Sequence, residues 1–268
     1  MSNPANLSDF ATIPRDRWGR PMVTPEGGGK PVPHTRVSTL AKTLDDQTGL
    51  MKWKQRQTII GVAKRVDLYT LAKSCGNNTQ TLNEVATQAM DAADSSAAAN
   101  TGTALHSFCE AVDLGHDIDP PAQYAPEIAA YRKATEVLTV VLAERFCVND
   151  QLQAAGSFDR LVRLPDGRTV IADIKTGKDA PRYATATAAQ MAIYANSKLY
   201  NLGTGERTEL PGPLDLTMGL LIHLPIGTGA CHIHKVDLAF GWQLAQVAVE
   251  VRAMRKTKPA TLAWSAEA

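Results

Sequence analysis

The sequence has little net charge, few cysteines and no long apolar run. Lysine and arginine exceed aspartate and glutamate by one over 268 residues, a net charge of +1. No global field therefore steers the chain to nucleic acid or to a membrane, and any polyanion must be met by local basic clusters. The four cysteines, Cys75, Cys109, Cys147 and Cys231, are scattered without a Cys-x-x-Cys pair. This excludes a zinc ribbon or a disulfide framework and fits reduced thiols inside a cell. No apolar signal region opens the sequence and no stretch is long enough to span a bilayer, so a soluble, cytoplasmic protein is expected. A phosphate-binding loop is missing too. Gly27-Gly28-Gly29-Lys30 has the wrong spacing, and Pro31 stands where a Ser or Thr should open a helix.

What is present centres on residues 156–178, GSFDRLVRLPDGRTVIADIKTGK. Two apolar-rich runs flank Pro165-Asp166-Gly167, which predicts a β-hairpin. A turn there sets Asp159 and Asp173 opposite or nearly opposite each other, where like charges repel. A divalent cation offsets that repulsion, because hard cations prefer carboxylate oxygens. Period two adds Lys175 to the Asp173 face. Two solvated acids with a surface lysine partner are the plainer alternative for this stretch taken alone.

Elsewhere the pattern is read in order. Residues 1–34, rich in Pro and Gly, predict an extended arm, poorly ordered unless it docks. Residues 35–99 predict helices: one from about Ser38 ended by Gly49, one over Met51 to Arg65, and an Ala-rich one over 81–99. Lys52, Lys54, Arg56, Lys64 and Arg65 form either a face for a phosphate backbone or a solvated face with Trp53 in the core. A helix capped by Asn100 or Thr101 and ended by Gly115 places His106 and Glu110 at i and i+4, with Thr103 and Asp113 on the same side.

A helix is expected over 124–144 and a strand over 145–152, leading into the hairpin. The helix expected over 183–200 carries Gln190 and Tyr194 at i and i+4. Strands are expected at 216–224 and 230–237, the second carrying His232 and His234 on one face; two histidines alone make a weak zinc signal. A helix over 240–256 carries Arg252, Arg255 and Lys256 near its end, either a second basic cluster or a well-charged helix terminus. The fold class is α/β: a mixed central sheet flanked by helices, behind a helical N-terminal part.

Four motifs stand in order: Gly102-Thr103-x-x-His106-x-x-x-Glu110, Gly156-x-x-Asp159-Arg160, Asp173-x-Lys175-Thr176-Gly177 and Gln190-x-x-x-Tyr194-Ala195. Together they resemble the PD-(D/E)xK nuclease superfamily, in particular RecB-type exonucleases, CRISPR-adaptation nucleases and phage recombination exonucleases. The resemblance covers roughly residues 100–255, and the helical segment 36–70 also looks like phage members. It implies a restriction-endonuclease-like core over 100–258, with 259–268 as a tail. It further implies metal ligation by His106, Asp159, Asp173 and the Ile174 carbonyl. Lys175 would orient the attacking water, Gln190 and Tyr194 would support the site and touch DNA, and Glu110 would hold His106 or a water. Lys52, Lys54, Arg56, Arg160, Lys178, Arg252 and Arg255 are the expected DNA contacts.

The implied activity is a DNA exonuclease dependent on Mg²⁺ or Mn²⁺, with the imidazole favouring Mn²⁺. It would act beside a single-strand annealing protein, with a homo-oligomer open. Asp173 stands where many relatives carry Glu. Only Cys231 lies late in the chain, so the iron–sulfur cluster of several relatives is not expected. A non-catalytic DNA-end-binding or recruitment module of a helicase–nuclease assembly is the alternative.

Overall fold

The computed structural model describes residues 13–95, 97–262 and 264. A ribbon of β1 (Met22–Val23) and β2 (Val32–Pro33) precedes β3 (Thr35–Arg36) and α1 (Val37–Ala41). Then come α2 (Thr48–Lys64), α3 (Val66–Ser74), α4 (Thr79–Ala92), α5 (Ala97–Asp113) and α6 (Ala125–Thr135). The sheet strands β4 (Thr139–Asn149), β5 (Ala154–Arg163) and β6 (Thr169–Lys175) lead to α7 (Thr185–Ala195). The chain closes with β7 (Lys198–Tyr200), β8 (Arg207–Thr208), β9 (Met218–His223), β10 (His232–Asp237) and α8 (Leu238–Met254). Among the described residues no helix is long and apolar enough to cross a membrane.

The expected α/β architecture is present. The eight-stranded sheet runs β10-β9-β6-β5-β4-β7-β8, with β3 beside the start of β5. It is mixed: β6–β9 and β3–β5 are parallel and the other pairs antiparallel. Alternation along each strand sends side chains to two faces, and helices cover both. Leu161, Ile171 and Leu221 pack with Met191, Ala192 and Ala245 of α7 and α8. Val162, Val170, Ala172 and Ile174 pack with Leu105, Cys109, Ile128 and Tyr131 of α5 and α6. Asp173 follows Ile171 on the first of these faces, an acid in an apolar row.

The central hairpin turns where the sequence predicts. The pairs Arg160↔Ala172 and Arg163↔Thr169 set its register, and Leu164 and Gly167 close the turn through their backbone. Extending that register by one residue puts Asp159 opposite Asp173.

Several boundaries differ from expectation. The arm docks from residue 13 onward: Ile13 and Val23 are buried with Phe146, Val148 and Tyr200, and the Thr24 N–H donates to Tyr200 Oη at 3.0 Å. Its first twelve residues lie outside the described ones. Gly49 does not end a helix but lies in the first turn of α2. Asn100 and Thr101 sit inside α5 rather than capping it. The helix expected to run to 144 stops at Thr135, and strand begins at Thr139. The β-branched run Thr139-Val140-Val141 suits a pleated, half-buried surface better than a helix. A short strand, β7, replaces the end of the helix expected up to Tyr200.

Candidate metal centre

The site lies where β5 and β6 part, because the hairpin ladder stops at Arg160↔Ala172. Beyond it a side chain takes over: the Ile174 N–H donates to Asp159 Oδ2 at 2.8 Å. α5 crosses the opening, and His106 Nδ1 stands 3.7 Å from the same Asp159 oxygen. Two glycines of the motifs permit this closeness. A Cβ on Gly102 would stand 2.8 Å from Thr176 Oγ1, and one on Gly156 would stand 3.0 Å from Tyr194 Oη.

A third residue that could hold a metal comes from β4, and the sequence reading missed it. Glu144, Asp159 and His106 each offer an atom within 4.8 Å of the others. β4 pairs with β5 through Ala143↔Arg160 and Arg145↔Phe158, so Glu144 holds the position facing Asp159. Its backbone is left-handed, φ +49°. A non-glycine residue held there inside a strand stores strain that the surroundings must impose, a pattern that concentrates at functional sites. The signal in the sequence was the strand propensity of Thr139–Val141. Had the strand been started there, Glu144 would have fallen in register with Asp159.

Asp173 is buried beside this trio and does not join it. Lys175 Nζ pairs with its Oδ2, and Gln190 Nε2 donates to its Oδ1 at 3.1 Å. The hairpin thus brings Asp173, Lys175 and Gln190 together, and Tyr194 lies one helical turn on, its ring edge-on to Phe158. Glu110 sits a turn beyond His106, near enough that its charge acts on Glu144.

Burial and acid crowding set the electrostatics of the site. Burial pushes the Glu144 carboxyl up to about 8, with Asp159 and Glu110 adding to the rise and Arg160 opposing it. Burial and then Asp159 push Asp173 up to about 7 against the pull of Lys175. Burial lowers His106, as do Lys175 and Arg160, while Asp159 and the Ile174 carbonyl raise it. The imidazole is therefore held toward its neutral form, the form that ligates a metal. The Ile174 carbonyl faces that ring. Crowded acids held uncharged beside a neutral imidazole suit a divalent cation, and His106, Glu144 and Asp159 fit one.

The expected DNA contacts divide. Lys52, Lys54, Arg56, Lys178 and Arg255 are exposed, and Trp53 is half-buried. Arg252 and Arg255 line a cleft of about 590 Å³ with Arg36, Lys42, Ser38 and Thr39, where Asp45 is the sole acid among the described residues. Arg160 is a correction. It is 1% exposed, its Nε pairs with Asp113, and Tyr131 Oη donates to the same carboxylate at 2.7 Å. A guanidinium sunk between α5 and the sheet offers nothing to a phosphate backbone. Asp113, expected beside His106, serves this pair instead.

No protein-family model matches the chain, and no curated protein matches it.

Proposed function

We propose that the protein is a divalent-metal-dependent nuclease that hydrolyses phosphodiester bonds at DNA ends. One observation carries the reading: His106, Glu144 and Asp159 converge beside the pair that buried Asp173 makes with half-buried Lys175. Phosphodiester hydrolysis needs charge neutralisation and a cation donor set, and this fork combines them from three strands and one helix. Mg²⁺ or Mn²⁺, when bound, supplies Lewis acidity toward a phosphoryl oxygen.

The chain's own groups do the rest. His106, Glu144 and Asp159 would hold the cation. Lys175 keeps its proton: burial opposes its charge, but Asp173 and Asp159 hold its pKa above the usual value. An ammonium of this kind is a point charge suited to non-bridging oxygens. Gln190 fixes the Asp173 carboxylate, and so the orientation of its lysine partner. Restriction to DNA, and to ends, rests on the resemblance of the four motifs to RecB-type and phage exonucleases. A single-strand annealing protein is the partner that the same resemblance suggests. The cleft lined by Arg36, Lys42, Arg252 and Arg255 offers a cationic surface for a phosphate backbone.

The test is digestion of end-labelled linear duplex, linear single strand and closed circular DNA, with Mg²⁺, Mn²⁺ or a chelator. Loss of linear DNA alone, abolished by the chelator and by Lys175→Ala, is the expected result. Binding to ends without cleavage would instead support a recruitment module, and cleavage by Lys175→Ala at the native rate would remove the site from the chemistry.

A further inference from the structure

Three imidazoles outside this site converge at the edge of the sheet. β9 and β10 pair His223 with His232 and Leu221 with His234. Alternation puts His232 and His234 on one face, and the cross-strand pairing adds His223 to it. The ring centroids form a nearly equilateral triangle, with sides of 6.4, 6.1 and 6.4 Å.

Two of the rings are prepared for a ligand. His223 Nε2 lies 2.8 Å from the Gly177 carbonyl oxygen. A carbonyl only accepts, so this nitrogen carries the proton and Nδ1 keeps its lone pair. Metal-ligating histidines are held in this way by a carbonyl behind the ring. His234 Nε2 is buried without a hydrogen-bond partner, a cost that an ion in the adjoining space removes.

We propose that His223, His232 and His234 hold a divalent transition ion of the zinc class. The centre of the triangle lies about 3.6 Å from each centroid, against about 3.2 Å for a ring that binds zinc through nitrogen. The ring nitrogens stand farther apart than those of the His106 group, the one set within 4.8 Å among the described residues. Closure around a tetrahedral ion therefore takes a turn of the rings and an inward shift of about 0.6 Å at each. His232 is exposed and has room for that turn.

Three nitrogen donors without a carboxylate select zinc, nickel or copper over Mg²⁺, which takes oxygen. Three protein ligands also leave a fourth position open. The cation nearest by register, Lys175 beside His223, is already paired with Asp173. The ion would tie the loop at Gly177, two residues beyond Lys175, to the sheet edge, and so steady the lysine's surroundings.

The experiment is calorimetric titration of Zn²⁺ into the untagged, chelator-treated full chain in excess Mg²⁺, in an Asp159→Asn background that disables the other site. One equivalent of Zn²⁺ is expected, lost when His232→Gln is added with the circular dichroism spectrum unchanged. Co²⁺ in place of Zn²⁺ should give visible ligand-field bands that disappear with the same substitution. Absence of Zn²⁺ uptake overturns the proposal, as does a full equivalent surviving both His232→Gln and the His232→Gln/His234→Gln pair. Neither outcome bears on DNA cleavage, which is read separately on the native chain.

Discussion

Glu144 faces Asp159 across the β4–β5 ladder from a left-handed backbone at φ +49°. The strain and the acid crowding fall on one residue, so one substitution separates stability from function. Left-handed backbone costs an L-residue about 1–2 kcal/mol, which glycine escapes. Glu144→Gly should therefore be more stable than Glu144→Ala by about 1 kcal/mol in urea unfolding. Both should lose cation binding. Equal stability of the two would contradict a left-handed strain at this position.

Acid crowding also makes stability depend on pH. Glu144 rises from the ordinary 4.5 to about 8 and Asp173 from 3.8 to about 7. The folded state then holds protons that the unfolded state has released, so stability falls as pH rises. The contribution is whole below about pH 4 and is lost progressively as pH climbs through 7 and 8. In thermal melts under chelator, the contribution from these two groups should fall from pH 5 to pH 8 and be absent in Glu144→Gln/Asp173→Asn. Mg²⁺ or Mn²⁺ should raise the melting temperature more at pH 8, where the carboxylates need not be deprotonated to bind.

The buried Arg160–Asp113 pair holds α5, and thus His106, against the sheet. Removing one partner of a buried pair strands a charge, at a cost of about 3–5 kcal/mol. Arg160→Ala should show that loss in urea unfolding, and Arg160→Met with Asp113→Leu should recover part of it. Arg255→Ala, in the open cleft, should leave stability within about 0.5 kcal/mol and weaken DNA binding in a salt-dependent way.

α7 carries Gln190 and Tyr194, and its distance from α8 is set by Gly241. A Cβ there would stand 2.3 Å from the Ala188 carbonyl oxygen, a backbone atom that cannot swing aside. Gly241→Ala should cost about 1–3 kcal/mol through overpacking. It should also lower nuclease activity by moving Gln190 off Asp173, while binding of duplex at the cleft changes less.

The hairpin was legible because its turn residues and its alternation agree, and with it came the facing of Asp159 and Asp173. The i, i+4 placement of His106 and Glu110 followed from helix period alone. Glu144 was hidden by a boundary: Ala125–Thr135 is helical, and nothing before Thr139 marks the change to strand except a β-branched run. Arg160 misled because a basic residue next to a site acid reads as a phosphate contact, whereas its burial depends on Asp113 and Tyr131 from two distant helices. The docking of the arm through Val23 was equally invisible, since its partners Phe146 and Tyr200 come from strands far along the chain.

The most direct test is the rate of cleavage of end-labelled linear duplex by native protein and Glu144→Gln across a Mn²⁺ titration. Cleavage that needs the cation is expected, with a loss of at least about a hundredfold in Glu144→Gln while its fold stays intact. Native-rate cleavage by Glu144→Gln, or cleavage by the native protein under chelator, would contradict that expectation.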